Sequence, residues 1–435
     1  MSNPSSNPDN KNWAAPFFTI WTGQAFSLFG SRLVQFALIW WLTKTTGSAT
    51  VLATASLAGL LPQVVLGPLT GALVDRWNRR IVMIVADSII ALATVALALL
   101  FLTETVQIWQ VYLLMFIRAT AGGFHWPAMT ASTSLMVPKE NLSRIQGFNQ
   151  MLQGGMSIIA APLGALLLEV LPIQGVLVID VGTALLAIAP LFFIAIPQPD
   201  RQLGPADSTE KPSIWQDMWA GLRYVWSWPG MMMIAGMALV INFLLTPAGS
   251  LTPILVTKHF QGQAMELAWM QSASGVGMVL GGLLLGAWGG FKRRILTSLF
   301  GLIVLGIGMA MIGFVPSGAI LLAIGLMFIT GLTMPIVNGP IFAVMQATVP
   351  PDMQGRVFTL LGSASAAMAP LGLIIAGPVA DKFGVQTWYI IGGIVTAAMG
   401  LIGFFMPAVV NVEDGPPAAV QLQDVSAPIA TNPGD

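Results

Sequence analysis

Apolar residues in this chain are grouped into twelve long segments that are separated by short polar gaps. A hydrocarbon core about 30 Å thick requires about 20 apolar residues in one helix, and each segment is long enough. The pattern therefore predicts an all-α membrane protein with twelve transmembrane helices. Their expected bounds are about 16–43, 48–74, 81–103, 107–134, 146–170, 176–196, 229–256, 265–290, 295–315, 318–348, 357–380 and 388–408.

Positive charge is concentrated in every second gap between these segments. One set of gaps, together with the leading tail, carries thirteen Lys and Arg residues, whereas the opposite gaps carry Lys44, Lys258 and Lys382. Because Lys and Arg accumulate on the cytoplasmic side of membrane proteins, the first set of gaps is predicted to be cytoplasmic. We expect a multi-pass protein of the plasma (inner) membrane with both termini in the cytoplasm.

The longest internal polar stretch, from about 197 to 213, divides the spans six and six. Trp and Met recur at helical spacing after it, which predicts either an amphipathic helix on the membrane surface or an extension of the seventh span. The predicted units are a cytoplasmic tail (1–15), an N-terminal six-helix bundle (16–196), a cytoplasmic linker with the amphipathic helix (197–228), a C-terminal six-helix bundle (229–408) and a disordered cytoplasmic tail (409–435).

The two halves repeat each other in sequence. Pro127 precedes Pro138 by 11 residues around the fourth span, and Pro340 precedes Pro351 by the same interval around the tenth. The motif Ala-Pro-Leu-Gly occurs in both the fifth and the eleventh spans. A doubled six-helix unit is typical of transporters that hold a site between two halves and expose it to each side in turn.

The amino-acid composition excludes several classes of function. Only 8% of the residues are charged, and the basic ones are dispersed among loops, which excludes a nucleic-acid-binding face. The chain has no Cys and two His, so thiol chemistry is excluded and no metal or other cofactor is predicted. A phosphate-binding Gly-xxxx-Gly-Lys-Ser/Thr loop is absent, which argues against direct use of ATP. The His-xxxx-Asp pattern of a membrane acyltransferase is also absent, and no enzyme activity is predicted.

Arg118 is placed close to the middle of the fourth span, about 16 Å from its start. A guanidinium at that depth costs at least about 3 kcal/mol, so we expect it to pair across helices with a carboxylate or with polar groups of the first span. Carboxyl groups within spans are candidates to carry a proton, because burial favours their neutral form; Asp180 in the sixth span is the first candidate and Asp87 in the third span is the next. His125 shares a helix face with Arg118, and both a functional role and a packing role remain open for it.

Polar residues also form stripes within several spans. Gln24, Ser31, Arg32 and Gln35 lie in the first span, Asn242 and Thr246 in the seventh, and Asn338 in the tenth. Such stripes are expected to face a substrate cavity rather than lipid. Interhelical hydrogen bonds that hold the bundle together are the alternative for each residue taken alone.

A loop signature follows the second span. It reads Gly71-Ala-Leu-Val-Asp75-Arg76-Trp-Asn78-Arg79-Arg80. It resembles the major facilitator superfamily pattern Gly-x-Leu-x-Asp-Arg-x-Gly-Arg-Arg, with Asn78 replacing the second glycine in an expected left-handed conformation. The resemblance implies a cytoplasmic gate, formed by the Gly, the Asp and the arginines, that clamps the two halves when the transporter faces outward. Membrane anchoring remains an alternative for Arg79 and Arg80.

The fourth span also resembles a superfamily motif. The stretch Leu114-Met-Phe-Ile-Arg118-Ala-Thr-Ala-Gly122 is similar to the Leu-xxx-Arg-xxx-Gly motif of proton-coupled exporters, which implies a role for Arg118 in proton transfer. Two further stretches, Gly-Gln-Ala-Phe-Ser-Leu-Phe-Gly-Ser (23–31) and Leu-Leu-Pro-Gln-Val-Val-Leu-Gly-Pro (60–68), resemble macrolide-efflux-type members.

These resemblances imply the major facilitator fold, with twelve helices in two pseudo-symmetric six-helix bundles. They further imply a secondary active exporter of hydrophobic or cationic small molecules such as macrolides, working by proton antiport and alternating access. The expected partners are the substrate, the proton and the lipid bilayer, and the chain is expected to be a monomer. A siderophore or lipid-like metabolite exporter of the same fold, or a non-transporting receptor or scaffold, remains an alternative.

Overall fold

The computed structural model describes residues 13–198 and 214–415, and the chain is helical over nearly all of both ranges. No strand occurs in either range, so the all-α prediction is confirmed. The helices are α1 (Ala14–Thr46), α2 (Ala49–Arg76), α3 (Arg79–Leu102), α4 (Ile108–Met136), α5 (Leu142–Val170), α6 (Ile173–Phe193), α7 (Ile214–Ser227), α8 (Pro229–Ile254), α9 (Ala264–Trp288), α10 (Arg294–Phe314), α11 (Ile320–Thr348), α12 (Pro351–Phe383), α13 (Val385–Phe405) and α14 (Pro407–Val410).

Eleven of the described helices are long and apolar enough to cross a membrane, namely α1 to α3, α5, α6 and α8 to α13. Helix α4 has 29 residues and is not among the eleven. It carries Arg118, His125 and several hydroxyl side chains along its length. Since α4 packs on α2 and α3, it occupies the position of the fourth predicted span.

The long helices form two bundles with the same internal arrangement. In the N-terminal bundle α1 packs on α5 and α6, α3 packs on α4 and α6, and α2 packs on α4. In the C-terminal bundle α8 packs on α12 and α13, α10 packs on α11 and α13, and α9 packs on α11. Each pair in the first bundle thus has its counterpart in the second, which confirms the pseudo-symmetric fold.

Glycines bring helix backbones of the C-terminal bundle into direct contact. A Cβ atom at Gly281 in α9 would lie 2.0 Å from the carbonyl oxygen of Leu332 in α11. One at Gly306 in α10 would lie 2.3 Å from the backbone nitrogen of Ala397 in α13. No side chain fits at either position, because the neighbouring backbone cannot withdraw without separating the helices. These contacts join α9, α10, α11 and α13 into a tightly packed block.

The helix ends lie on two sides of the molecule, which we name by their charge. The arginine-rich side carries Arg76, Arg80 and Arg293, and the arginine-poor side carries Lys44 and Lys382. Helix α1 begins on the arginine-rich side and ends on the arginine-poor side, and successive spans alternate in direction.

The two bundles pack against each other through α2 on α12 and α5 on α9. A buried cluster extends across this boundary and includes Leu52 and Ala161 from the N-terminal bundle and Leu251 and Ala376 from the C-terminal bundle. Lys44 Nζ donates a hydrogen bond to Gln263 Oε1 at 2.9 Å across the arginine-poor side. The boundary is therefore closed at that side by both apolar and polar contacts.

Asn78 does not adopt the expected left-handed conformation, and that prediction is wrong. Its φ and ψ angles are −69° and 111°, in the extended region. The Asn78 side chain accepts hydrogen bonds from the backbone nitrogens of Arg80 at 3.1 Å and Ile81 at 3.4 Å. Asn78 thus caps the N-terminus of α3, and an N-cap residue needs an extended backbone.

Helix α7 is separate from α8, so it is not an extension of the seventh span. Trp228 interrupts the two helices with φ −115° and ψ 96°. Helix α7 packs on α12, where Gly221 faces the backbone of Arg356. Trp219 and Trp226 of α7 are exposed. The surface location of α7 and the bounds of the two bundles stay predictions, and most of the expected linker and tails lies outside the described residues.

Candidate functional site

The interior of the N-terminal bundle contains two layers of polar side chains. Three helices contribute to both layers through residues seven positions apart, which corresponds to about 10.5 Å along a helix. The pairs are Gln24 and Ser31 in α1, Asp87 and Thr94 in α3, and Arg118 and His125 in α4. We call the group of Ser31, Thr94, Arg118 and Asp180 the arginine layer, and the group of Gln24, Asp87 and His125 the histidine layer.

The arginine layer is organised around the fully buried carboxylate of Asp180 in α6. Arg118 Nη1 lies 2.8 Å from Asp180 Oδ2. Thr94 Oγ1 donates to the same oxygen at 2.9 Å, and Ser31 Oγ donates to Oδ1 at 3.1 Å. Arg118 also donates to the hydroxyls of Thr94 and Ser31. The guanidinium thus has the interhelical partners that its depth requires.

The histidine layer lies nearer the arginine-rich side. His125 Nε2 lies 3.3 Å from Asp87 Oδ1 and 2.8 Å from Gln24 Oε1, and Gln24 Nε2 donates to Asp87 Oδ2 at 2.9 Å. Because His125 Nε2 faces two oxygen acceptors, it carries the hydrogen in this arrangement. The layer therefore holds one carboxylate, one imidazole and one carboxamide in direct contact within the bundle.

A cavity of about 440 Å³ lies beside both layers and between the bundles. Asp87, Arg118 and His125 line it, together with Gln35 from α1 and Thr246 from α8. A neighbouring cavity of about 450 Å³ shares Gln35 and Thr246 and adds the exposed Arg32. The predicted cavity residues of the first span and Thr246 are thus brought together, and a molecule in this space contacts both bundles.

A wall of carboxamides borders a third cavity, of about 690 Å³, on the arginine-rich side of the N-terminal bundle. We call it the amide wall; its members are Gln63 from α2 and Gln146, Asn149, Gln150 and Gln153 from α5. These residues were not among the sequence predictions. The sequence nevertheless contains a signal for them. The other three amides of α5 follow Gln146 by three, four and seven residues, so the four share one face of an otherwise apolar helix.

Asn242 and Asn338, which were also predicted to face the substrate cavity, lie apart from these polar groups. They line a separate cavity of about 240 Å³ inside the C-terminal bundle. Asn242 Nδ2 donates to the carbonyl oxygen of Ala238 in its own helix at 2.9 Å. Most other lining side chains are apolar, including Phe342 and Phe358. The C-terminal bundle therefore offers shape and apolar surface, with little hydrogen-bonding capacity.

Arg80 of the predicted gate makes its contacts within the N-terminal bundle. Its guanidinium donates to the carbonyl oxygen of Leu191 and, at 2.7 Å, to that of Phe192. Both carbonyls lie in the last turn of α6, where a cation satisfies exposed acceptors and the helix dipole. In this conformation Arg80 stabilises the end of a helix.

The other predicted gate residues are described in part. Arg79 is buried, and its backbone nitrogen donates to Gln198 Oε1 at 3.4 Å. Arg76 is exposed at the end of α2. The structure describes neither the surroundings of Gly71 nor the side chain of Asp75, so the gate role of this segment stays a prediction.

Asp381 of α12 caps the N-terminus of α2 across the boundary between the bundles. Its carboxylate accepts hydrogen bonds from Ser48 Oγ at 2.8 Å, from the backbone nitrogen of Ala49 at 2.7 Å and from that of Thr50 at 2.9 Å. A carboxylate at a helix N-terminus also interacts favourably with the helix dipole. These three hydrogen bonds must break before the bundles can separate on the arginine-poor side.

Asp381 was not among the predicted site residues, although the sequence contains a signal for it. The stretch Gly377-Pro-Val-Ala-Asp381-Lys382-Phe-Gly384 repeats the spacing of Gly71-Ala-Leu-Val-Asp75-Arg76-Trp-Asn78. The two stretches lie at opposite sides of the molecule, at the ends of α12 and α2.

Two pseudo-symmetric helical bundles around a polar cavity define a membrane transporter. The sequence matches the Major Facilitator Superfamily over residues 20–373, which is most of the chain. The chain belongs to this superfamily.

Two efflux proteins are similar in sequence to this chain over most of its length. The chain is 34% identical over 391 residues to the macrolide efflux protein A of Streptococcus pyogenes, covering 90% of this chain and 96% of that protein. It is 29% identical over 391 residues to the multidrug efflux pump Tap of Mycolicibacterium fortuitum, covering 87% and 92%. In fold it is similar to a POT family transporter crystallised with a thioalcohol-conjugated peptide, with a TM-score of 0.70, 11% identity and coverage of 92% and 96%.

Proposed function

We propose that this protein exports bulky organic compounds of the macrolide type in exchange for protons, by alternating access. The efflux proteins to which it is similar support the direction and the substrate class. A cavity lined by both bundles supports alternating access, because a site between two rocking halves is exposed to each side in turn.

The arginine-rich side is assigned to the cytoplasm by the positive-inside rule. With that orientation, the cap formed by Asp381 and the buried cluster close the outer side, and the cavity beside the amide wall is on the inner side. The described conformation then corresponds to the state that receives substrate from the cytoplasm. We assign the protein to the cell membrane as a monomer.

The observation that carries proton exchange is the pair of Asp87 and His125, which is buried in the bundle and lines the cavity. Histidine changes its charge near physiological pH, and its proton can pass to the adjacent carboxylate. Asp180, the first candidate from the sequence, is bound by a permanent guanidinium and by two hydroxyls. Protonating Asp180 would break these contacts, so we place Asp87 ahead of it.

The histidine layer and the substrate then use the same cavity in turn. The pair of Asp87 and His125 takes up a proton when the cavity faces the acidic outer side. It releases that proton when the cavity faces the cytoplasm, where substrate enters. In the neighbouring layer Arg118 and Asp180 stay ion-paired throughout, so the charge of that layer does not change while the pair of Asp87 and His125 gains or loses its proton.

Everted membrane vesicles test this proposal. With an acidified lumen, radiolabelled erythromycin should accumulate inside, and a protonophore should abolish the accumulation. Asp87→Asn should retain equilibrium binding of erythromycin but lose accumulation, whereas Glu169→Gln, an exposed acid of the same bundle, should behave as wild type. Absence of erythromycin binding by wild type would refute the substrate class, and accumulation insensitive to the protonophore would refute proton exchange.

Topology is tested separately with single cysteines, since the chain has none of its own. Cysteines placed at Thr45 or Gln263 should react with an impermeant maleimide in intact cells. One placed at Gln198 should react only after the cells are permeabilised. The reverse labelling pattern would contradict the orientation.

A further inference from the structure

We propose that the amide wall and Arg32 form a subsite for a neutral, oxygen-rich group of the substrate, such as a glycosyl group that is not an amine. The inference rests on the proposed export of macrolide-type compounds and specifies which part of such a compound binds where. Arg32 and all five carboxamides line the same cavity of about 690 Å³.

The carboxamides of this wall are available to a ligand. The side-chain amides of Gln63, Gln146, Gln150 and Gln153 form no hydrogen bond with any residue that the structure describes. If they served to hold the bundle together, they would bond to neighbouring helices. Asn149 is the exception, since its Oδ1 accepts from Trp21 Nε1 at 2.8 Å. That contact fixes the orientation of one amide and leaves its NH₂ group for another partner.

The geometry suits a group that carries several oxygen atoms close together. Residues three and four apart on a helix have Cβ atoms about 5–6 Å apart, so the amides of α5 form a row of closely spaced polar groups. Each carboxamide both donates and accepts hydrogen bonds, as a hydroxyl does. Neighbouring hydroxyl, methoxy and ring oxygens of a sugar can therefore bond to neighbouring amides, the hydroxyl as donor or acceptor and the others as acceptors.

The charge of the cavity favours a neutral group over a cationic one. Arg32 is exposed, forms no ion pair with a described residue and offers only donors. The described residues that line this cavity include no acidic side chain. An ammonium group would meet an unopposed guanidinium here, whereas hydroxyl, ether and carbonyl oxygens would accept from it.

An aromatic side chain completes the subsite. Trp126 of α4 lines the same cavity and is 50% exposed. The face of an indole ring packs well against the apolar face of a sugar ring, while the hydroxyls at the ring edge remain free for the amides. A lining that combines hydrogen-bonding groups with an exposed aromatic surface distinguishes this cavity from a simple water-filled vestibule.

Equilibrium binding to the purified protein tests the subsite with two probes. One is erythromycin, and the other is its derivative that lacks only the neutral sugar. Wild type should bind erythromycin about tenfold more tightly, which corresponds to one or two net hydrogen bonds. In the double variant Gln146→Leu/Gln150→Leu this preference should fall to less than about twofold, while affinity for the sugar-free derivative stays within about twofold of wild type.

Gln346→Leu is the matched control, because Gln346 is an exposed carboxamide of the other bundle that does not belong to the amide wall. It should keep the full preference for erythromycin. Retained binding of the sugar-free derivative shows that a variant is folded, and Gln63→Leu/Gln153→Leu provides a second, independent variant on the same wall. An unchanged preference in both double variants, or equal affinity of wild type for the two probes, overturns the subsite. Binding of neither probe by wild type overturns the proposed function itself.

Discussion

The two bundles share one arrangement of helices but differ in what they bury. The N-terminal bundle buries Asp87, His125 and Asp180 and holds Arg118 beside them. Among the described residues of the C-terminal bundle, the buried polar side chains are hydroxyls, and the interior cavity is mainly apolar. The acidic side chains described there lie at helix ends, and Asp381 contacts the opposite bundle.

This difference indicates a division of labour within a repeated fold. A buried charge is kept only where it is paired or used, because it destabilises the folded state otherwise. Under the proposed mechanism, the N-terminal bundle provides the groups that exchange protons. The C-terminal bundle provides an apolar surface for the substrate.

The strongest test of this division removes the cation of the arginine layer. Arg118→Ala leaves the carboxylate of Asp180 buried without a counter-charge, which should destabilise the protein by about 3–5 kcal/mol and abolish transport. The neutral pair Arg118→Gln/Asp180→Asn should recover most of the stability but not the transport. Thermal unfolding of the purified variants measures the stability, and accumulation of erythromycin in everted vesicles measures the transport. A double variant no more stable than Arg118→Ala would show that charge pairing is not what Arg118 contributes.

The next largest effect is expected in the histidine layer. Asp87→Asn should lower proton-driven export by about a hundredfold or more and weaken its dependence on pH between 6 and 8, because His125 loses the carboxylate to which it passes the proton. Asp180→Asn should keep a pH-dependent rate, though with a less stable protein. Export rates in vesicles across that pH range distinguish the two. If Asp180→Asn reduced export and its pH dependence more than Asp87→Asn did, Asp180 would be the proton carrier.

A smaller effect is expected where the two bundles meet. Asp381→Asn weakens a cap that exists only while the arginine-poor side is closed, and a loss of about 1.4 kcal/mol shifts the equilibrium tenfold toward the state open on that side. The rate at which an impermeant maleimide reaches a cysteine at Ser56 from that side reports the shift. Glu266→Gln is the control, since Glu266 Oε2 accepts from the backbone nitrogen of Gln263 at 2.8 Å within one bundle. Equal labelling in both variants would contradict the assignment.

The smallest effects are expected in the apolar cavity of the C-terminal bundle. Phe342→Ala and Asn338→Leu should change the relative export of different macrolides by about two- to tenfold, since one altered apolar contact is worth about 1 kcal/mol. Their pH profiles should match that of wild type. A changed pH profile would mean that proton exchange is not confined to the N-terminal bundle.

The sequence was sufficient for the parts of the structure that depend on local energetics. The apolar segments predicted all of the long helices, because length and hydropathy decide whether a helix can cross a membrane. The depth of Arg118 predicted an interhelical partner, because an isolated guanidinium is too unfavourable there. The repeated prolines and the Ala-Pro-Leu-Gly motif predicted the internal symmetry.

What the sequence left open depends on how the helices are rotated against one another. Asp87 and Asp180 both lie within membrane spans, and the sequence does not show which of them contacts Arg118. Only the packing of α3, α4 and α6 shows that Asp180 pairs with Arg118 and that Asp87 contacts His125. Asn78 was expected in a left-handed conformation because a glycine is usual there, yet its capping of α3 is the stronger local constraint. The amides of α5 were visible as a pattern, but their common cavity was not.

The glycine contacts of the C-terminal bundle also decide where this protein can change over evolutionary time. A side chain at Gly281 or Gly306 would collide with the backbone of a neighbouring helix, so these positions tolerate no replacement without loss of the bundle. The side chains around the nearby apolar cavity carry no such restriction, because they are joined to the rest of the bundle mainly by adaptable apolar contacts. New substrate ranges should therefore arise by exchange of residues such as Phe342 and Phe358, on a framework of glycines that stays the same.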